Sequence, residues 1–296
     1  MSDNIFEKGC LCNLDVGIWG ARVKIPKEKI KVEADKSFWS AAMRLVDPKT
    51  LKTIEGIRNE ARAFLINNSL PFPIRGIAFV PKDKASAIEE NLRTMQAKFD
   101  REVTKFCADY TVFREQAKDH LGELYDDTAY PPNIEKKFSF GWQFFAVGME
   151  NGSKVLSPAV YEREKRKFEQ QMSDFAENAV ATLRLRFLEM LDHIVTRLAG
   201  GNARVFRDSL IETPKKFIED FQALNICDDK ALEAMVKKVG ALLDGVNPEM
   251  LRDDVAFRAS VANQVAQVEI ELAKVIKETP SRMLDIDWDT PEETAK

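Results

Sequence analysis

Apolar positions in this chain recur by threes and fours over two unusually long stretches. In the first, Ile88, Leu92, Met95, Phe99, Val103, Phe106, Tyr110, Phe113, Ala117 and Leu121 fall on one helical stripe. In the second, Val160, Phe168, Met172, Phe175, Ala179, Leu183, Phe187, Leu191, Ile194 and Leu198 do the same, with one polar step at Glu164. These stripes predict helices over about 82–122 and 158–199, each a rod of about 60 Å at about 1.5 Å per residue. A rod of that length must lay its stripe along another rod. The two are therefore expected to pair antiparallel as a long hairpin, crossing with the left-handed geometry that a three-four spacing favours.

Shorter patterns fill the rest. Residues 10–20 alternate, with Leu14, Val16 and Ile18 on one side and Asn13, Asp15 and Gly17 on the other, which predicts a half-buried strand. Asp47-Pro48 opens a helix with a capping carboxylate and a proline at the first helical position. Its apolar face is Leu51, Ile54, Ile57, Ala61, Phe64 and Leu65, it ends near Asn67, and Pro71 and Pro73 prevent its continuation. A second strand is expected over 74–80, closed by Pro81, and a third over 138–147 with Phe138, Phe140, Trp142 and Phe144 on one face. An aromatic row so dense needs a cover, and the rods are the simplest one.

Ser157-Pro158 opens the second rod and Gly200-Gly201 closes it. Three shorter helices follow, over about 203–223 with a restart at Thr213-Pro214, over 229–243, and from Asn247-Pro248 to Thr279-Pro280. The fold class is α+β and predominantly α: the helical hairpin, a small three-strand sheet and a C-terminal helical bundle. The domain reading is an N-terminal α/β part over 1–157 with the first long helix, a helical part over 158–280, and an acidic tail over 281–296.

Composition narrows the class. The chain has 296 residues, 45% hydrophobic and 31% charged, which suits a globular protein with a sizeable core. A net charge of -4 is too mild to attract nucleic acid by bulk electrostatics, yet it leaves room for a local basic patch. The thiols Cys10, Cys12, Cys107 and Cys227 are scattered, as in a reducing compartment, and no apolar leader or 18-residue apolar run is present. A location in the bacterial host cytoplasm, away from membranes, is the expectation.

Candidate chemistry is sparse. No phosphate-binding glycine loop, nucleophile elbow or metalloprotease pattern occurs, so no catalytic, cofactor-binding or metal residue is assigned and a non-enzyme is expected. His193 beside Asp192 reads as a histidine on a charged helix face ahead of a base or ligand. Cys10-x-Cys12 reads as small buried strand residues ahead of a redox pair. Two basic segments are the candidates for nucleic-acid contact: Arg22 and Lys24 within 22–36, and Arg163, Arg166 and Lys167 on one helical face. Solvated faces with internal ion pairs are the plainer reading of both. Leu284, Ile286 and Trp288, spaced by acids, have the form of a short partner-docking peptide.

The order of these features carries a resemblance. Asn13-Leu-Asp-Val-Gly-Ile-Trp-Gly-Ala-Arg22, then the Asp47-Pro48 helix, the Phe79-Val-Pro81 strand exit and Phe138-Ser-Phe-Gly-Trp-Gln-Phe-Phe-Ala-Val147 resemble the DUF3150 family of bacteria and phages, from about residue 10 to about 200. The resemblance implies no catalytic residues. It implies a setting in phages and mobile elements, often beside MoxR-type AAA+ ATPases. The expected function is that of a non-enzymatic interaction, scaffold or adaptor protein, self-associating or acting with such an ATPase. The alternative is a nucleic-acid-associated factor in replication, recombination or anti-host function.

Overall fold

The computed structural model describes residues 7–31, 33–35, 37–147, 157–199 and 209–278. Among them are six strands, β1 (Gly9–Gly17), β2 (Arg22–Lys24), β3 (Ala42–Arg44), β4 (Leu70–Pro71), β5 (Ile77–Pro81) and β6 (Ser139–Phe145). The α-helices are α1 (Pro48–Asn67), α2 (Lys82–Leu121), α3 (Pro158–Ala199), α4 (Ser209–Leu224), α5 (Lys230–Leu243), α6 (Pro248–Asp253) and α7 (Val255–Glu278). One sheet has the order β4-β5-β1-β6, and β2 and β3 form a separate two-stranded ribbon. The protein is thus mainly α with some β. Two compact units are interleaved along the chain, the first from Met1–Cys12, Ile66–Ala85 and Phe144–Lys296, the second from Asn13–Leu65 and Ser86–Gln143.

In the first unit α3 is the axis. Met172, Phe175, Ala179, Leu183, Phe187, Leu191, Ile194 and Leu198 are buried along it, as the stripe predicts. Its long partner is α7, which brings its own buried row of Val261, Val265, Val268 and Leu272. Phe72 and Phe79, on either side of the β4–β5 turn, set their rings 5.3 and 5.2 Å from Phe175. The helices α4, α5 and α6 complete the bundle, and Asp229 caps α5 by accepting from the Leu232 amide. Pro214 lies inside α4 and does not restart it. The expected single helix from Asn247-Pro248 is divided at Asp254. That residue ends α6 by donating its amide to Met250 O, and opens α7 by accepting from the Phe257 amide at 2.8 Å.

In the second unit α1 begins at Pro48 as expected, with Asp47 Oδ1 accepting from the Lys49 amide. Its buried face is Leu51, Ile54, Ile57, Ala61 and Leu65. The stripe of α2 meets aromatic partners: Phe99 lies 5.4 Å from Phe140, and Phe106 5.5 Å from Phe138. The cover expected over that aromatic row is supplied there by α2. Trp19, just beyond β1, presents its edge to Tyr110 at 5.8 Å.

Two expectations are corrected. The long rods do not make one hairpin: α3 takes α7 as its partner, while α2 from Ser86 onward belongs to the other unit. Periodicity says that a stripe is buried and is silent on what buries it. The expected three-strand sheet has four strands, and the ribbon is additional. The extra strands β2, β3 and β4 are two or three residues long, too short to show a period.

Candidate nucleic-acid interface

The second unit builds a basic ribbon just beyond the Trp19 anchor. Ala21 has φ 47, a left-handed backbone that costs a residue with a Cβ about 1 kcal/mol. Its carbonyl accepts from the Leu45 amide at 2.8 Å, so the turn starts β2 in register with β3. The pairing is antiparallel, with Arg22 opposite Arg44, Val23 opposite Met43 and Lys24 opposite Ala42. Val23 and Met43 are half-buried, while Arg22, Lys24 and Arg44 are exposed. Like charges directly opposite one another destabilise a strand pair by about 0.2–1 kcal/mol. None of these three cations forms an ion pair with another described residue.

The connection between the strands carries more positive charge and two aromatics. A short helical turn spans Lys27–Lys29, Lys27 Nζ lies 6.0 Å from the Trp39 ring, and Lys29 and Lys31 are exposed. Asp35 Oδ1 accepts from the Ser37 amide and hydroxyl at 2.9 and 2.8 Å, and these bonds lower its pKa. Next to that turn Phe38 is 88% exposed, the most exposed large apolar side chain among the described residues. An aromatic ring in solvent on a segment that joins two cationic strands is a combination suited to stacking bases and neutralising phosphates.

Beside the ribbon lies a hollow of about 340 Å³, lined by Arg44 to Pro48 and by Phe113, Gln116, Ala117, His120 and Leu121 of α2. Its rim is braced, because the Tyr130 hydroxyl donates to Leu45 O at 2.8 Å. Burial pushes the Tyr130 phenol up to about 12, with help from the neighbouring phenols of Tyr125 and Tyr110. Arg114 lies over the rings of Tyr110 and Tyr130 at 5.9 and 5.6 Å and pairs with Asp127, which also accepts from the Tyr125 hydroxyl. The exposed Asp127 carboxyl is held low by the Arg114 hydrogen bond first and the Tyr125 one second.

The other predicted candidates fare differently. On α3, Arg163 and Lys167 both pair with Glu164, at 3.4 and 2.8 Å, and Arg166 donates to Glu162 O. The Lys167 hydrogen bond, then that of Arg163, holds Glu164 below the usual carboxylate range. Glu164 offsets part of that positive charge, and the polar step in the stripe is satisfied by its own helix. His193 is exposed on α3, and His120 on α2 joins the hollow. Cys12 is fully buried and its thiol is raised to about 12, by burial first and the Cys10 thiol second. Among the described residues no three His, Cys, Asp or Glu side chains group around a metal-sized space, and no helix is long and apolar enough to cross a membrane. Leu284, Ile286 and Trp288 lie outside the described residues. The sequence pointed to Arg22 and Lys24 through local charge. It missed Arg44 and Phe38, because Arg44 reaches the patch by strand pairing and Phe38 is marked only by its exposure.

The fold and this surface define a mainly-α protein with a two-stranded basic ribbon. The chain belongs to the DUF3150 family of proteins of unknown function, whose model matches residues 6–262 and so includes much of the C-terminal bundle. No curated protein and no solved structure matches it.

Proposed function

We propose that this protein acts by binding, as a nucleic-acid-associated factor, and that its contact surface is the β2–β3 ribbon of the second unit. One observation carries the reading: Phe38, 88% exposed, lies on the connection between the strands that carry Arg22, Lys24 and Arg44, cations with no ion-pair partner among the described residues. Phosphates supply the counter-charge that the Arg22–Arg44 pair lacks, and a base supplies the stacking partner for Phe38. The test is fluorescence anisotropy of labelled single-stranded DNA and RNA across a potassium chloride series. Three phosphate contacts give a log–log salt slope of about -2. Arg44→Gln is expected to reduce that slope by about one contact, and Phe38→Ala to weaken binding about tenfold while leaving the slope unchanged. Failure to bind either strand at low ionic strength removes the reading.

A second reading is that of an adaptor or scaffold in a phage or mobile element, docking to a MoxR-type AAA+ ATPase or to itself. The family resemblance supports it, as do Met250 and Val255, 41% and 65% exposed on either side of the α6–α7 junction. Light scattering and co-purification with a co-encoded ATPase test it. A strict monomer that captures no such ATPase would end this reading.

A further inference from the structure

The hollow beside the ribbon has the dimensions and chemistry of a small-ligand site. Ligand clefts begin at about 300 Å³ and are lined mostly by apolar side chains with a few placed polar groups. Here the volume is about 340 Å³, with Leu45, Val46, Pro48, Phe113, Ala117 and Leu121 as the apolar lining. One side of Phe113 is engaged, its ring lying 5.4 Å from that of Phe106.

The polar groups are few and unlike one another. Arg44 is the cation, and no described carboxylate pairs with it. Asp47 is occupied as the cap of α1, its Oδ1 accepting from the Lys49 amide at 2.9 Å. His120 Nδ1 lies 2.7 Å from Gln116 O. A carbonyl can only accept, so Nδ1 carries a proton there, and Nε2 is the ring nitrogen left for a ligand. Arg22 stands opposite Arg44 in the strand register and does not itself line the hollow.

A ligand complementary to this set has a flat ring to lie against Phe113. It has donor groups such as an exocyclic amine or ribose hydroxyl for His120, and a compact anion for Arg44. We propose that the hollow receives one nucleotide unit, with its base among Phe113, Ala117 and Leu121 and its phosphate at Arg44. The unit belongs either to a free nucleotide or to the phosphorylated end of a strand. The site shares Arg44 with the ribbon but does not require a strand to lie along it.

Calorimetric titration of the full chain with adenosine and cytidine 5′-monophosphates tests this, with the nucleosides and inorganic phosphate as separate titrants. At least one monophosphate is expected to bind saturably with a Kd below about 1 mM. The matching nucleoside and phosphate alone should each bind at least about tenfold more weakly, since each lacks half of the contacts. Arg44→Gln should weaken the monophosphate about tenfold, and Lys52→Gln, at an exposed position of α1 outside the hollow, should leave it unchanged. Gln116→Trp, at an exposed lining position, should block the hollow while preserving the far-ultraviolet dichroism.

No saturation, phosphate binding as tightly as the nucleotide, or indifference to both Arg44→Gln and Gln116→Trp would overturn the proposal. A terminally phosphorylated oligonucleotide that displaces the monophosphate assigns the strand end, and one that does not assigns the free nucleotide. Strand binding without monophosphate binding defeats the hollow and spares the ribbon; the reverse defeats the ribbon alone.

Discussion

At the scale of single residues, three environments make distinct demands. Ala21 occupies a left-handed backbone position at the entry to the ribbon. Ala21→Gly removes the Cβ conflict and is expected to raise stability by about 1 kcal/mol in urea denaturation. Arg184 and Asp229 form an ion pair at 2.7 Å with little exposure on either side, and Asp229 also caps α5. Asp229→Ala removes both the buried ion pair and the helix cap, and should cost about 3 kcal/mol. Glu233 titrates differently. Hydrogen bonds from Lys237, Lys230 and Gln222, in that order, lower its pKa from 4.5 to about 2. A lowered folded value gives stability that is complete above 4.5 and is lost as the pH falls toward 2. The melting temperature should therefore decline over that window, and Glu233→Gln should flatten part of the decline.

At the scale of elements, packing decides what periodicity leaves open. The α3 and α7 rows interlock inside the first unit, and Phe187, fully buried on α3, lies 5.6 Å from the stacked ring of Phe217. Phe187→Ala is expected to cost about 3–5 kcal/mol, the range for emptying an aromatic-sized core site. At the start of β1 the backbone passes so close to β5 that a Cβ on Gly9 would collide with Val80 O and reach the Phe79 ring at 2.7 Å. A carbonyl held in a sheet cannot swing aside as a side-chain tip can. Gly9→Ala should therefore lower stability by about 1–3 kcal/mol, measurable by its denaturation midpoint. Neither long-helix boundary surprises: Pro158 at the first position of α3 and Lys82 after Pro81 match the punctuation in the chain. The division at Asp254 does, since one residue ends α6 with its amide and starts α7 with its carboxylate within an unbroken apolar pattern.

At the scale of the molecule, the interleaving is the notable property. The chain passes between its two units at four points, and β1, α1, α2 and β6 each contribute residues to both. Elements shared in this way cannot unfold for one unit alone. We expect one calorimetric transition, shifted as a whole by Phe187→Ala; two separated transitions would show the units to be thermally independent. Charge is likewise a molecular property. The net value of -4 conceals a ribbon of the opposite sign. Approach of a polyanion should accordingly depend on ionic strength at the ribbon and respond less to charge changes on α3, where Arg163 and Lys167 are already engaged by Glu164.

Much of this architecture is local information. The two rods, their ends, the α1 cap and the burial of their stripes follow from spacing, from proline and glycine placement and from the side chains on one face, all of which the backbone period converts directly into geometry. The partner of each stripe does not follow, because any apolar row of matching length satisfies the same hydrophobic demand, and only the assembled chain sets α3 against α7. The candidate site divides along the same line. Local charge marks Arg22 and Lys24 in the chain itself. Arg44 joins them through a three-residue register, Phe38 qualifies by exposure, and His120 meets Arg44 across a hollow between elements far apart in sequence. Charge and period are properties of neighbours along the chain, whereas exposure, pairing and cavities exist only once distant segments have closed on one another.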